Sequence, residues 1–244
     1  MIFKFSHLAV ALTSAAAITA ATVTPAIAQN ANITADQVAA ILRENPEIVM
    51  EALQAAQAKE QEQRTMQLTA TAAPIANAVI AGDEQVAFLG VADGTPVVEF
   101  FDYNCGYCKR FHAETATPLL AEGDTKLLLV HTPILSEGSH RLAEFAAAAN
   151  LQGKFADAHN FLMEHNASSV ADADALKSQL IAAAGLDEAA FENALADGSA
   201  KSQVEHNSSL SKDAGVAGTP MIYANNQAIP GAIPLGALKQ VLSN

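Results

Sequence analysis

The chain has 244 residues and a formal net charge of −13, from 13 Lys and Arg against 26 Asp and Glu. That acidic balance argues against nucleic acid, whose phosphates call for a surplus of cations. Two cysteines exclude a disulfide-stapled scaffold and an iron–sulfur cluster, which takes four thiolates. The two are Cys105 and Cys108, so their spacing carries the reading.

Residues 1–28 read as a secretory signal. Lys4 supplies the positive start, Leu8 to Val23 is uncharged and apolar or small, and Ala26-Ile27-Ala28 gives the small-x-small cleavage pattern. A membrane anchor is the competing reading. The clean cleavage signature and the Ala- and Thr-rich composition favour cleavage after Ala28 and export. The Ala-rich style is bacterial, so the expected compartment is the periplasm.

Residues 29–92 read as an N-terminal helical segment, with helix over 33–73. Thr34-Ala-Asp-Gln37 is a capping box ahead of Val38, Ile41 and Leu42. Asn45-Pro46 reads as a fresh N-cap with proline at the first helical position. Leu42, Val49 and Ala56 recur at heptad spacing with Leu53 between them, a pattern open to two readings: self-association into a homo-oligomer through residues 33–73, or packing on the chain's own domain. Residues 57–71 read as an exposed helix end or linker, and Gly82 to Pro96 as loop.

Val97-Val98-Glu99-Phe100-Phe101 reads as a buried strand. Helix is expected from Cys105 until Pro118, and a second strand over Lys126 to Val130. Helices punctuated by Gly153, Gly185 and Gly198 fill about 139–210, with Leu142, Phe145, Phe155, Leu162, Leu180 and Phe191 on their apolar faces. A strand over Met221 to Tyr223, a turn at Asn225-Asn226, a short strand near Ala228-Ile229 and a closing helix over 235–242 complete an α/β plan.

The Cys-x-x-Cys pair follows a strand and opens a helix. A cysteine at a helix N-terminus faces unpaired N–H groups and the positive end of the dipole, which favour its thiolate, and Lys109 and Arg110 act the same way. Cys105 is therefore the expected nucleophile and Cys108 the resolving thiol. A c-type haem site needs His directly after the second Cys, where this chain has Lys109. Structural zinc needs four ligands, and Cys105, Cys108 and His112 give three. A purely structural disulfide would close too short a loop to contribute more than about 2 kcal/mol. Glu99, six residues before Cys105 in an apolar strand, reads either as a buried proton acceptor for Cys108 or as a solvent-facing residue of an edge strand. Thr219-Pro220 reads as a turn that could be cis and offer the Thr219 backbone to an extended client segment. His112, His131 and His140 receive no role.

The stretch VVEFFDYNCGYCKRFH (Val97 to His112), Gly218-Thr219-Pro220 and the terminal hairpin and helix resemble the DsbA-like branch of the thioredoxin superfamily over about residues 93–244. The resemblance implies a thioredoxin domain interrupted by a helical domain, here about 139–210. It also implies Cys105 as nucleophile, Cys108 as resolving cysteine, Glu99 as buried acid and Thr219-Pro220 as the cis-proline loop. The N-terminal AAILRENPEIVMEALQ is similar to that of ScsC and Com1-like proteins, some of which use these helices to build a trimer. Between the cysteines this chain has Gly106-Tyr107, the dipeptide of the DsbC isomerase, and Thr219 before the proline is also isomerase-like.

The expected protein is thus an exported thiol-disulfide oxidoreductase, with isomerase or reductase favoured over dedicated oxidase. It needs no cofactor beyond the Cys105–Cys108 couple and no metal. Its expected partners are proteins bearing thiols or disulfides, contacted through Gly106, Tyr107, Thr219 and Pro220, and a membrane redox partner. A DsbA-like oxidase, a Cu(I)-handling thiol protein and a redox-inactive chaperone are the rival readings.

Overall fold

The computed structural model describes residues 34–243, so the expected signal segment lies outside the described residues. The chain begins with α1 (Ala35–Glu44) and α2 (Pro46–Gly82). Thr34 and Gln37 form the expected capping box. Residues up to Ala52 form one unit, and Leu53 onward forms a second. In the first unit no residue of α1 is buried, and Val38, Ile41, Leu42, Ile48, Val49 and Met50 are all exposed.

The second unit is built on a five-stranded sheet. Its strands are β1 (Ala87–Gly90), β2 (Thr95–Phe101), β3 (Thr125–His131), β4 (Met221–Ala224) and β5 (Gln227–Pro230), in the order β1-β3-β2-β4-β5. The β2–β3 pair is parallel, with Glu99 opposite Leu129 and Phe101 opposite His131; the other pairs are antiparallel. β2 is therefore a central strand, and Glu99 does not lie at an edge. Asn225 and Asn226, at φ 45° and 61°, make the two-residue turn between β4 and β5.

Alternation along β2 separates two cores. Val98 and Phe100 face one side with Leu128, Val130, Met221 and Tyr223. This side is covered by Ala72, Ala76 and Val79 of α2, and Thr69 Oγ1 accepts from the Ala228 amide at 3.0 Å. Val97 and Phe101 face the other side with Leu127, Leu129, Ile222 and both cysteines. That side is covered by α3 (Gly106–Phe111), a π-helical turn (His112–Ala116), α4 (Thr117–Leu120) and α10 (Leu235–Ser243).

Five helices are inserted between β3 and β4: α5 (Glu137–Asn150), α6 (Phe155–Met163), α7 (Val170–Ala184), α8 (Glu188–Ala196) and α9 (Ser199–Asp213). α5 is their hub. Its run Ala146 to Ala149 is fully buried, and such short side chains let neighbouring helices approach closely. Gly138 is needed at its start, because a Cβ there would stand 1.9 Å from the Ala167 carbonyl oxygen.

Three expectations are corrected. Residues 87–90 are strand rather than loop, because Ala87 and Leu89 alternate inward against β3. α2 continues through Pro74 to Gly82, since Pro74 lies on the exposed side while Ala72, Ala76 and Val79 hold the helix to the sheet. Helix also passes Pro118, which sits in the first turn of α4, where a missing N–H is tolerated.

Placing a carboxylate beneath α2 should unfold this packing. Val79→Asp is expected to lower stability by about 3 kcal/mol or more in urea denaturation followed by circular dichroism. Ala78→Asp, one residue away on the exposed side, should change it by less than about 1 kcal/mol.

Candidate active site

The end of β2 delivers the chain into the site through a tightly bonded turn. Asp102 is buried, and its carboxylate accepts from the amides of Asn104 at 2.8 Å, Ile134 at 2.9 Å and Leu135 at 3.0 Å. The Asn104 amide group donates to Ser139 Oγ at 2.9 Å and to the Ala167 carbonyl at 2.6 Å, and its oxygen accepts from the Ala167 amide at 2.8 Å. These bonds tie the turn to the inserted helices and fix the start of α3.

Cys105 is the N-cap of α3, and Cys108 lies one turn inside it. Both are free thiols. Cys108 has no exposed surface, whereas Cys105 is 7% exposed, between the exposed Gly106 and Tyr107 and the Thr219-Pro220 loop. The Thr219–Pro220 bond is cis, and the Cys105 thiol donates to the Thr219 carbonyl at 3.2 Å. The guanidinium of Arg110 lies over the Tyr107 ring, 4.9 Å from its centroid.

This geometry separates the two thiols electrically. The Cys105 thiolate accepts a hydrogen bond from Cys108, and the Thr219 side chain and the Cys108 and Tyr107 amides add to that bond; together they outweigh burial and bring its pKa down to about 5. Burial pushes Cys108 far up, reinforced by the hydrogen bond to Cys105 and by the charge of Glu99. One sulfur is thus an anion at neutral pH while the other keeps its proton.

Glu99 points from the central strand into the same core, 1% exposed, and its Oε1 has no protein partner. Burial raises its pKa well above the ordinary range, and the Cys105 anion adds to the shift. A carboxylate whose proton affinity is raised in this way is a stronger base than an ordinary one toward the Cys108 thiol. The structure thus brings all seven residues singled out in the sequence to one end of the sheet.

It also adds three that the sequence reading missed. Tyr103, His131 and His159 are buried beside Phe101, with the Tyr103 hydroxyl 3.0 Å from His159 Nδ1. They come from β2's end, β3 and α6, so no local spacing links them. On the far side of the cis-proline loop lies a cavity of about 420 Å³, lined by Leu68, Val216, Ala217, Met221 and Pro230, with Arg64 at its wall.

The alkylation rate of Cys105 by iodoacetamide should therefore rise with pH around an apparent pKa of about 5. Cys108→Ala removes the largest stabilising bond, and its midpoint should move up toward the ordinary thiol range. An unmoved midpoint would contradict this account of the thiolate.

No curated protein matches the sequence. The family described as Thioredoxin matches residues 84–244. Among solved structures, a thioredoxin-like oxidoreductase from Silicibacter pomeroyi DSS-3 is 29% identical, covers 67% of this chain and 94% of its own, and superposes with a TM-score of 0.60. The thiol-disulfide exchange protein alpha-DsbA2 from Wolbachia pipientis is 22% identical with a TM-score of 0.65, over 74% and 97% of the two chains. A linker-deletion variant of Proteus mirabilis ScsC is 22% identical with a TM-score of 0.59, over 88% and 97%. The family match, the sheet order and a Cys-x-x-Cys at the start of the first helix after the central strand agree, and the chain belongs to the thioredoxin family.

Proposed function

We propose that this protein reduces or isomerises disulfides in exported client proteins. The observation that carries the reading is the asymmetric pair: an ionised, reachable Cys105 beside a buried, protonated Cys108. The Cys105 thiolate attacks a client disulfide, forming a mixed disulfide and releasing one client thiolate. Cys108 then gives its proton to Glu99 and attacks Cys105. The Cys105–Cys108 bond forms, the bond to the client breaks, and the client leaves reduced by two electrons. In isomerisation the client's own thiolate makes the second attack, and the pair returns to the dithiol.

Gly106-Tyr107 and Thr219 support the isomerase or reductase role over a dedicated oxidase, through their likeness to the DsbC isomerase. The Thr219 carbonyl oxygen lies 3.2 Å from the Cys105 sulfur, so it stands where an extended client strand would run. Export rests on the N-terminal Lys4, the apolar run and Ala26-Ile27-Ala28. No described helix is long and apolar enough to cross a membrane.

The exposed Val38, Ile41, Leu42, Ile48 and Val49 support a homo-oligomer, since an amphipathic helix with no core of its own gains most by covering its apolar side with a second copy. Oligomerisation would set several active sites around one client.

Reactivation of scrambled ribonuclease tests the reading. The wild-type protein should restore activity in a glutathione buffer, and Cys105→Ala should abolish it. Fast oxidation of a reduced peptide without reactivation would overturn the isomerase role. The double variant Leu42→Asp, Val49→Asp should be monomeric by light scattering and reactivate ribonuclease several-fold more slowly. A wild-type monomer would overturn the oligomer.

A further inference from the structure

One side chain ties the turn that delivers Cys105 to the inserted helices. Asn104 directly precedes Cys105, and both ends of its amide are bonded. Its Nδ2 lies 2.6 Å from the Ala167 carbonyl oxygen, 2.9 Å from Ser139 Oγ and 3.0 Å from Ser136 Oγ. Its Oδ1 accepts from the Ala167 amide at 2.8 Å. Asn104 and Ala167 thus exchange two bonds, side chain to backbone. Ala167 is 1% exposed and lies between α6 and α7, while Ser136 is the N-cap of α5 and Ser139 lies in its first turn. The far side of Ala167 is closed by Gly138, where a Cβ would stand 1.9 Å from the Ala167 carbonyl oxygen. Toward the thiol the bonds continue through the backbone. The Asn104 amide donates to Asp102 Oδ1 at 2.8 Å, the Cys105 amide to the Asp102 carbonyl at 3.0 Å, and the Lys109 amide to the Cys105 carbonyl at 3.1 Å. A bonded path without a gap therefore joins the inserted helices to the start of α3.

We propose that Asn104 is a positioning residue through which the inserted helices set the reactivity of Cys105. The inference deepens the thiol-exchange reading above. Only a carboxamide suits the place: an aspartate would lack the donor for the Ala167 carbonyl, and an aliphatic side chain would lack both bonds. What Asn104 fixes is the N-cap position of Cys105, from which the free amides of α3 face the sulfur. Those amides stabilise an anion, and do nothing comparable for the neutral sulfurs of a Cys105–Cys108 disulfide. The Cys108 and Tyr107 amides both favour the Cys105 thiolate. A displaced turn therefore costs the dithiol state more than the disulfide state. The thiolate is then less favoured and the disulfide less oxidising. Cys108 and Glu99 are the titratable groups coupled to Cys105, and the substitutions below leave both in place.

Two readings test this: the pH midpoint of Cys105 alkylation by iodoacetamide, and the equilibrium of the disulfide with glutathione. Asn104→Ala should move the midpoint up and make the disulfide about fivefold less oxidising in its equilibrium constant, the worth of about one hydrogen bond. Gly138→Ala forces Ala167 away from α5 without altering the thiol turn, and should shift both readings the same way. The double variant should shift them no further than the larger single one, because both substitutions break one contact. Phe191→Leu, in the buried core of the insertion, should lower stability in urea and leave both readings unmoved. A folded Asn104→Ala with both readings unmoved would overturn the inference. So would shifts that add in the double variant, or that appear equally in Phe191→Leu. If Asn104→Ala does not fold, Ser139→Ala removes one of its partners and should give a smaller shift of the same sign; no shift there overturns the inference as well. A wild-type midpoint in the ordinary thiol range would overturn the reading of the site itself, a result distinct from these.

Discussion

The hydrogen bond from the buried Cys108 thiol to the Cys105 sulfur is the interaction on which the site depends. Two cysteines of the same kind, three residues apart, would titrate together in water. Here one is lined up with the free amides of a helix start and the other is one turn deeper in the core. Desolvation keeps the inner proton in place, and the inner S–H then stabilises the outer anion. The rest of the fold maintains that offset. The central strand sets Glu99 beneath the pair, the Asp102 and Asn104 bonds fix where α3 begins, and the Thr219 loop closes the outer side.

The inserted helices take part in the same arrangement. Asn104 is bonded to Ser139 and to the backbone of Ala167, and the Lys109 ammonium donates to the His165 carbonyl. α6 also brings His159 against Tyr103. The insertion thereby helps hold the turn before α3 and the first turn of α3 in place. Burial in the core raises the pKa values of both Cys108 and Glu99. The outer half stays open at the exposed Gly106 and Tyr107, beside the Cys105 sulfur and the cis-proline loop.

Much of this was legible in the sequence because its signals are local. A β-branched run containing one acid, followed at fixed spacing by Cys-x-x-Cys, states a strand, a turn and a helix start within sixteen residues. Glu99 became decisive only once β2 proved central, which pairing alone reveals. β1 was missed because four residues between glycines and aspartates look like loop until β3 lies beside them. The run of α2 through Pro74 was hidden because proline at an exposed position is judged as a breaker, while the alanines that hold the helix to the sheet have no distinctive pattern. Tyr103, His131 and His159 come from three separate elements, so their grouping exists only in the folded chain.

The central claim of the proposed reaction is that Cys105, and not Cys108, forms the covalent bond to a client. Trapping tests this most directly: Cys108→Ala is mixed with a scrambled disulfide protein, quenched with acid and mapped by mass spectrometry. The account predicts a stable mixed disulfide on Cys105, and none on Cys108 in the matching Cys105→Ala protein. An adduct on Cys108, or no adduct on either, would contradict it.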